Sequence, residues 1–135
     1  METYTLNNGL LMPSVGLGTH AIPNNQLLDV LETAFDLGYR KFDTAWLYNN
    51  ESVIGQFVAN HSKDRDKLFI TSKLHFNNRF PFGYRRQLHI PLKSIRQCFF
   101  DSCKRLKTDY LDLYLIHWPF INYKKNIHFR IFIRI

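Results

Sequence analysis

Two hydrophobic periods alternate along this chain. In 24–37, Leu27, Val30, Leu31, Ala34 and Phe35 recur at three- and four-residue steps, the spacing of one buried helix face. In 50–60, Val53, Ile54, Phe57 and Val58 keep the same spacing, and Leu92, Ile95, Phe99 and Leu106 suit the inward face of a third helix. Short β-prone runs separate them: Val15-Gly16-Leu17-Gly18-Thr19, Lys41-Phe42-Asp43-Thr44-Ala45, Leu68-Phe69-Ile70-Thr71-Ser72-Lys73, and the strongly apolar 110–118, which Pro119 ends. Ahead of all these, Thr3-Tyr4-Thr5-Leu6 and Leu10-Leu11-Met12 flank Asn7-Asn8-Gly9, a strong hairpin signal. Strands alternating with helices predict an α/β fold with parallel strands.

The punctuation agrees with these bounds. Asn24 or Asn25 can cap the first helix and Gly38 can end it, while Pro91 suits the first turn of the third. Residues 75–90 carry Asn, Pro and Gly and exceed the usual two to six residues of a βα loop. They read either as a functional loop or as a tolerated insertion.

Composition narrows the class. The chain has 135 residues, of which 45% are hydrophobic and 16% aromatic, ample for a packed core. Cys98 and Cys103 form no disulfide framework or zinc-site spacing and read as free thiols in a reducing compartment. No run of 18 apolar residues occurs, and the N-terminus does not read as a signal peptide, so the expectation is a soluble, cytoplasmic protein with no membrane partner. The net charge of +7 could suggest nucleic acid. Yet Lys124, Lys125, Arg130 and Arg134 follow Pro119 with no acid among them, leaving 14 basic against 11 acidic side chains, or +3, in 1–119. The basic bias therefore belongs to the tail, and no nucleic-acid partner is expected.

Four ionisable residues fall at strand ends: Asp43 after the second parallel strand, Tyr48 in the following loop, Lys73 at the end of the third and His117 at the end of the fourth. The carboxyl ends of parallel strands form one rim, where ligands and catalytic groups gather. Singly, each has an ordinary structural explanation: a loop cap, a surface aromatic, a snorkelling lysine, a satisfied rim histidine. Together they suit one chemistry. A free tyrosine, with a pKa of about 10, is a poor proton donor at neutral pH, and a neighbouring ammonium such as Lys73 favours its phenolate. Asp43 would keep that lysine charged and oriented, and a neutral His117 could hydrogen-bond a substrate carbonyl. Such a tyrosine protonates an oxygen while another group delivers hydride. No metal cluster or nucleophile–base pair at motif spacing competes with this reading.

The sequence resembles the N-terminal part of an aldo-keto reductase. Met12-Pro13 with Val15-Gly16-Leu17-Gly18-Thr19 is similar to the family's opening barrel strand. Phe42-Asp43-Thr44-Ala45-Trp46-Leu47-Tyr48-Asn49-Asn50-Glu51, followed by Ile54-Gly55, resembles its Asp-Thr-Ala-x-x-Tyr-x-Asn-Glu signature. Phe69-Ile70-Thr71-Ser72-Lys73-Leu74 is similar to its lysine strand, and Asp109-Tyr110-Leu111-Asp112-Leu113-Tyr114-Leu115-Ile116-His117-Trp118-Pro119 to its histidine strand.

The resemblance implies a TIM (β/α)8 barrel, NADPH as cofactor and an aldehyde or ketone as substrate. It implies Tyr48 as general acid, Lys73 and Asp43 as its tuning pair and His117 as the group orienting the carbonyl. Thr19 and Asp43 would lie by the nicotinamide and its ribose, and His20, Tyr48 and His117 by the substrate. His20 stands where many members carry Trp. Gly16-x-Gly18 belongs to a barrel strand and lacks the longer dinucleotide fingerprint.

A full barrel of this kind takes about 250 residues. The expectation is therefore a truncated barrel: about four βα units after the hairpin in 1–119, then a basic aromatic tail in 120–135 outside the resemblance. Alternating Ile127, Phe129, Ile131, Ile133 and Ile135 fit an edge strand, or a reading frame that ran past its junction. A second reading is a catalytically silent barrel fragment that self-associates through open sheet edges.

Overall fold

The computed structural model describes residues 2–74 and 92–117. Pro91, the 75–90 segment and the 120–135 tail, all singled out above, lie outside the described residues.

The chain opens with an antiparallel hairpin, β1 (Thr3–Thr5) and β2 (Leu11–Pro13), with Thr3 opposite Pro13. Gly9 turns it in the left-handed region, at φ 83°, where a side chain would be strained. Then β3 (Leu17–Gly18), α1 (Asn24–Asp36), β4 (Lys41–Asp43), α2 (Glu51–Asn60), β5 (Phe69–Leu74), α3 (Leu92–Arg105) and β6 (Leu113–Ile116) follow in strict alternation. The four later strands form a parallel sheet in the order β3-β4-β5-β6, as the sequence pattern predicts. None of the described helices is long and apolar enough to cross a membrane.

The helical spacings found in the sequence become the core. Leu27 and Leu31 of α1 and Ile54 and Phe57 of α2 are fully buried, with Phe42 of β4 and Ile70 of β5. Phe99 and Leu106 complete the layer beneath β6. Each such side chain contributes on the order of 1.5–3 kcal/mol by leaving water. The Phe42 and Phe57 rings meet edge to face at 4.9 Å and join sheet to helix.

One helix start departs from expectation. Pro23, rather than Asn24 or Asn25, occupies the cap of α1, and no side chain caps it. The Asn24 carboxamide instead donates to the Asn49 carbonyl at 3.2 Å, reaching toward the loop after β4. Asn50 occupies the cap of α2, but its carboxamide makes no capping bond either. Gly38 ends α1 as expected, at φ 92°.

The two ends of the sheet differ in character. Below β5 and β6, Arg65 donates to the carbonyls of Leu68 and Tyr110, pairs with Asp112 at 3.0 Å and lies 3.9 Å over the Tyr110 ring. Asp112 in turn accepts the Ile70 amide at 2.9 Å. These groups satisfy one another and brace the strand starts. The carboxyl ends carry Asp43, Lys73 and His117.

Candidate active site

Strand register brings the four ionisable residues to one rim. Gly18 is level with Asp43, Asp43 with Thr71, and Leu74 with Ile116, so Thr19, Thr44, Lys73 and His117 all lie at the carboxyl end. The Lys73 ammonium reaches back to ion-pair with Asp43 and donates to the Thr44 carbonyl at 3.0 Å. Its side chain is mostly buried, at 14% exposure, whereas Asp43 keeps 35%. A lysine so enclosed needs its carboxylate, because an unpaired ammonium out of water is costly.

Tyr48 arrives from a single 3-10 turn, Trp46–Tyr48, which Asn49 closes in the left-handed conformation at φ 52°. Its ring centre is 5.2 Å from Lys73 Nζ, within cation–π range. The ring meets His20 at 4.7 Å and 65° and His117 at 5.5 Å and 85°. Asp43, Tyr48, Lys73 and His117 are thus one cluster, and His20 belongs to its outer wall. Each of these residues was legible from its place at a strand end or in the resemblance.

Thr19 is wholly buried. Its hydroxyl donates to the Asp43 carbonyl at 3.0 Å, and its amide donates to the same oxygen at 2.9 Å. At this rim the chain presents a carboxylate with only Oδ1 held by lysine, a phenol and two imidazoles. That donor set fits the polar nicotinamide–ribose end of a dinucleotide beside a carbonyl oxygen. Among the described residues no group of His, Cys, Asp and Glu could hold a metal ion.

Thr44, Asn50 and Glu51 lie in the signature stretch, but nothing in the sequence signalled the bonds by which they hold this cluster. The Thr44 hydroxyl donates to Asn50 Oδ1 at 2.6 Å, and Asn50 Nδ2 donates to the Thr19 carbonyl and hydroxyl at 3.0 and 3.2 Å. Next to it, Glu51 is only 2% exposed: Oε1 accepts from Ser72 at 2.6 Å and Oε2 from Arg105 at 2.7 Å. Adjacent polar residues where a helix starts suggest capping and a favourable dipole, and nothing local reveals that both reach across the sheet.

The thiols lie apart from the rim chemistry. Burial raises Cys98 above an ordinary thiol and pushes Cys103 up to about 11, so neither is an activated nucleophile.

Comparison with known proteins points to one family. The family model described as the Aldo/keto reductase family matches residues 12–131. Morphine 6-dehydrogenase of Pseudomonas putida is 42% identical over 114 residues, covering 84% of this chain and 35% of that protein. Methylglyoxal reductase DkgA of Escherichia coli is 40% identical over 114 residues, covering 84% and 37%. Glyoxal reductase of Bacillus subtilis is 40% identical over 119 residues, covering 87% and 39%.

Among solved structures, the aldose reductase from Schistosoma japonicum superposes with a TM-score of 0.73 at 35% identity, over 88% of this chain and 37% of its own. The aldo/keto reductase from Brucella melitensis gives 0.72 at 36%, over 87% and 41%. The chain spans little more than a third of the length of the curated relatives it matches. With the family model matching residues 12–131 and relatives about 40% identical over more than four fifths of its length, the chain belongs to the aldo/keto reductase family.

Proposed function

We propose that this chain carries the proton-donating half of a carbonyl-reducing site: an NADPH-dependent, cytoplasmic oxidoreductase that turns aldehydes or ketones into alcohols. The observation that carries the reading is the Lys73 ammonium, ion-paired to Asp43 and 5.2 Å from the centre of the Tyr48 ring. When bound, the dihydronicotinamide supplies hydride to the carbonyl carbon. The residues of this chain manage the oxygen.

Tyr48 gives its phenolic proton to the carbonyl oxygen as negative charge builds there. The Lys73 ammonium stands beside the ring from which the proton leaves, and Asp43 keeps that ammonium in place. His117 flanks the phenol and would hydrogen-bond the same oxygen, fixing its approach. His20, exposed and in ring contact with Tyr48, shapes the substrate side. Thr19 and the part of the Asp43 carboxylate turned from Lys73 serve the cofactor side, Asp43 toward a ribose hydroxyl and Thr19 by fixing the Asp43 backbone. We assign this chemistry to residues 1–119.

The methylglyoxal and glyoxal reductases among the relatives make small 1,2-dicarbonyls the first substrates to try. The test is consumption of NADPH by the full chain with methylglyoxal at neutral pH, with NADPH binding followed by quenching of fluorescence from Trp46, which is 39% exposed. Methylglyoxal-dependent consumption is expected. Its absence while NADPH is bound overturns the assignment of the reaction to this chain.

A further inference from the structure

We propose that Asn50 is a positioning residue for the reaction at this rim, setting where the Tyr48 phenol stands relative to the Asp43–Lys73 pair. The inference rests on the carbonyl-reduction reading for its catalytic meaning, and on hydrogen-bond geometry for its substance.

Asn50 has an evident alternative use. It sits at the cap of α2, where a side-chain bond to the helix amides contributes about 1 kcal/mol, yet it makes none. Its carboxamide is 2% exposed and is spent on other partners. Oδ1 accepts the Thr44 hydroxyl at 2.6 Å, while Nδ2 is shared between the Thr19 carbonyl at 3.0 Å and hydroxyl at 3.2 Å. A buried amide with both ends engaged has little freedom to move, because leaving either end unpaired in this dry site is costly.

Those two partners are the neighbours of the reactive pair. Thr44 follows Asp43, and its carbonyl accepts Lys73 Nζ at 3.0 Å. Thr19 donates to the Asp43 carbonyl through both its amide and its hydroxyl. Asn50 therefore grips the peptide units that hold Asp43 and Lys73 from both sides. In the other direction it is two residues from Tyr48, across Asn49 in its left-handed conformation. One carboxamide thus joins the ends of β3 and β4 to the turn that presents the phenol.

Position matters steeply here, since a misplacement of about 1 Å can cost a hundredfold in rate. Without the carboxamide, the turn 46–48 keeps its own backbone bonds, Tyr48 N to Ala45 O among them, but loses its tie to the two strand ends. The phenol then drifts while the sheet stays intact.

The experiment reads ring proximity by NMR on the full chain, without turnover. In the unsubstituted protein the Tyr48 ring should give cross-peaks to the rings of His20 and His117, and Phe42 to Phe57. In Asn50→Ala the two Tyr48 cross-peaks should be lost while the Phe42–Phe57 cross-peak persists. Full retention of the Tyr48 cross-peaks overturns the proposal. So does joint loss of all three in a folded protein, which would make Asn50 a general core residue. Should Asn50→Ala fail to fold, Thr44→Val removes the arm that ends on Oδ1 and should weaken the same two cross-peaks. Because the readout needs no reaction, failure of the carbonyl-reduction reading leaves a separate signature: intact ring contacts in a chain that consumes no NADPH.

Discussion

The Lys73 ammonium ion-pairs with Asp43 and stands 5.2 Å from the centre of the Tyr48 ring, so one cation serves a carboxylate and a phenol at once. The order is set by the sheet. Asp43 ends β4 level with Thr71, and Lys73 lies two residues farther along β5, roughly 7 Å. The lysine must lean back toward the carboxylate, and in doing so passes beside the turn that carries Tyr48. Lys73→Met keeps much of the apolar stem and removes the charge. It should lower carbonyl-dependent NADPH consumption by about 10²-fold or more, the scale of a lost contribution to proton transfer. Steady-state kinetics at pH 7 check this, with kcat carrying the loss.

Glu51 makes the second prediction. Its carboxylate is buried and shared by Ser72 and Arg105, whose side chain is 34% exposed. Removing Arg105 leaves a charge in a dry site with one hydroxyl partner. Arg105→Ala should destabilise the fold by on the order of 2 kcal/mol, below the full cost of breaking a buried pair because the arginine is partly solvated. Thermal unfolding checks it, and Glu51→Gln with Arg105→Ala should restore part of the loss.

Close packing of α2 against the end of α3 supplies the third. A Cβ on Gly55 would lie 2.1 Å from the Arg105 carbonyl oxygen, which is backbone and cannot swing aside. Gly55→Ala should therefore force the helices apart and cost about 1–3 kcal/mol or more, where an exposed helical site would gain from alanine. A lowered melting temperature with native-like helix content is the expected outcome.

The fourth concerns pH. Burial holds the Cys103 thiol neutral in the folded state, up to about 11, against 9.0 for an ordinary thiol. Below pH 9 the thiol is neutral in both states and the contribution is constant. Between pH 9 and 11 the unfolded thiol ionises and the folded one does not, so stability falls as pH rises, by about 2 kcal/mol in all. Burial raises the Tyr114 phenol as well, which adds a loss of the same sign at higher pH. Denaturant unfolding across this range should show the fall, and Cys103→Ala should lessen it most between pH 9 and 10, below the range of the Tyr114 phenol.

What could be seen in the sequence was what repeats or stands at an edge. Leu27 and Leu31, or Ile54 and Phe57, announce a helix face by spacing alone, and Asp43, Lys73 and His117 announce a rim by ending their strands. Asn50 and Glu51 stand in the signature stretch, but did not announce their partners. Their bonds run to Thr19, Thr44, Ser72 and Arg105, up to 54 residues away, and no local rule links such pairs. Asn24 misled for the same reason: a good capping residue was recruited by a distant carbonyl, Asn49. Polar groups near a site are claimed by tertiary structure, whereas apolar periodicity is claimed by the element itself.

The measurement that bears most directly on the central claim is NADPH consumption by Tyr48→Phe with a small aldehyde, compared with the unsubstituted chain. Phenylalanine keeps the ring that meets His20 and His117 and removes the one proton the mechanism transfers. The account predicts a loss of at least about 10²-fold in kcat with cofactor quenching retained. Turnover by Tyr48→Phe at the rate of the unsubstituted chain would contradict it.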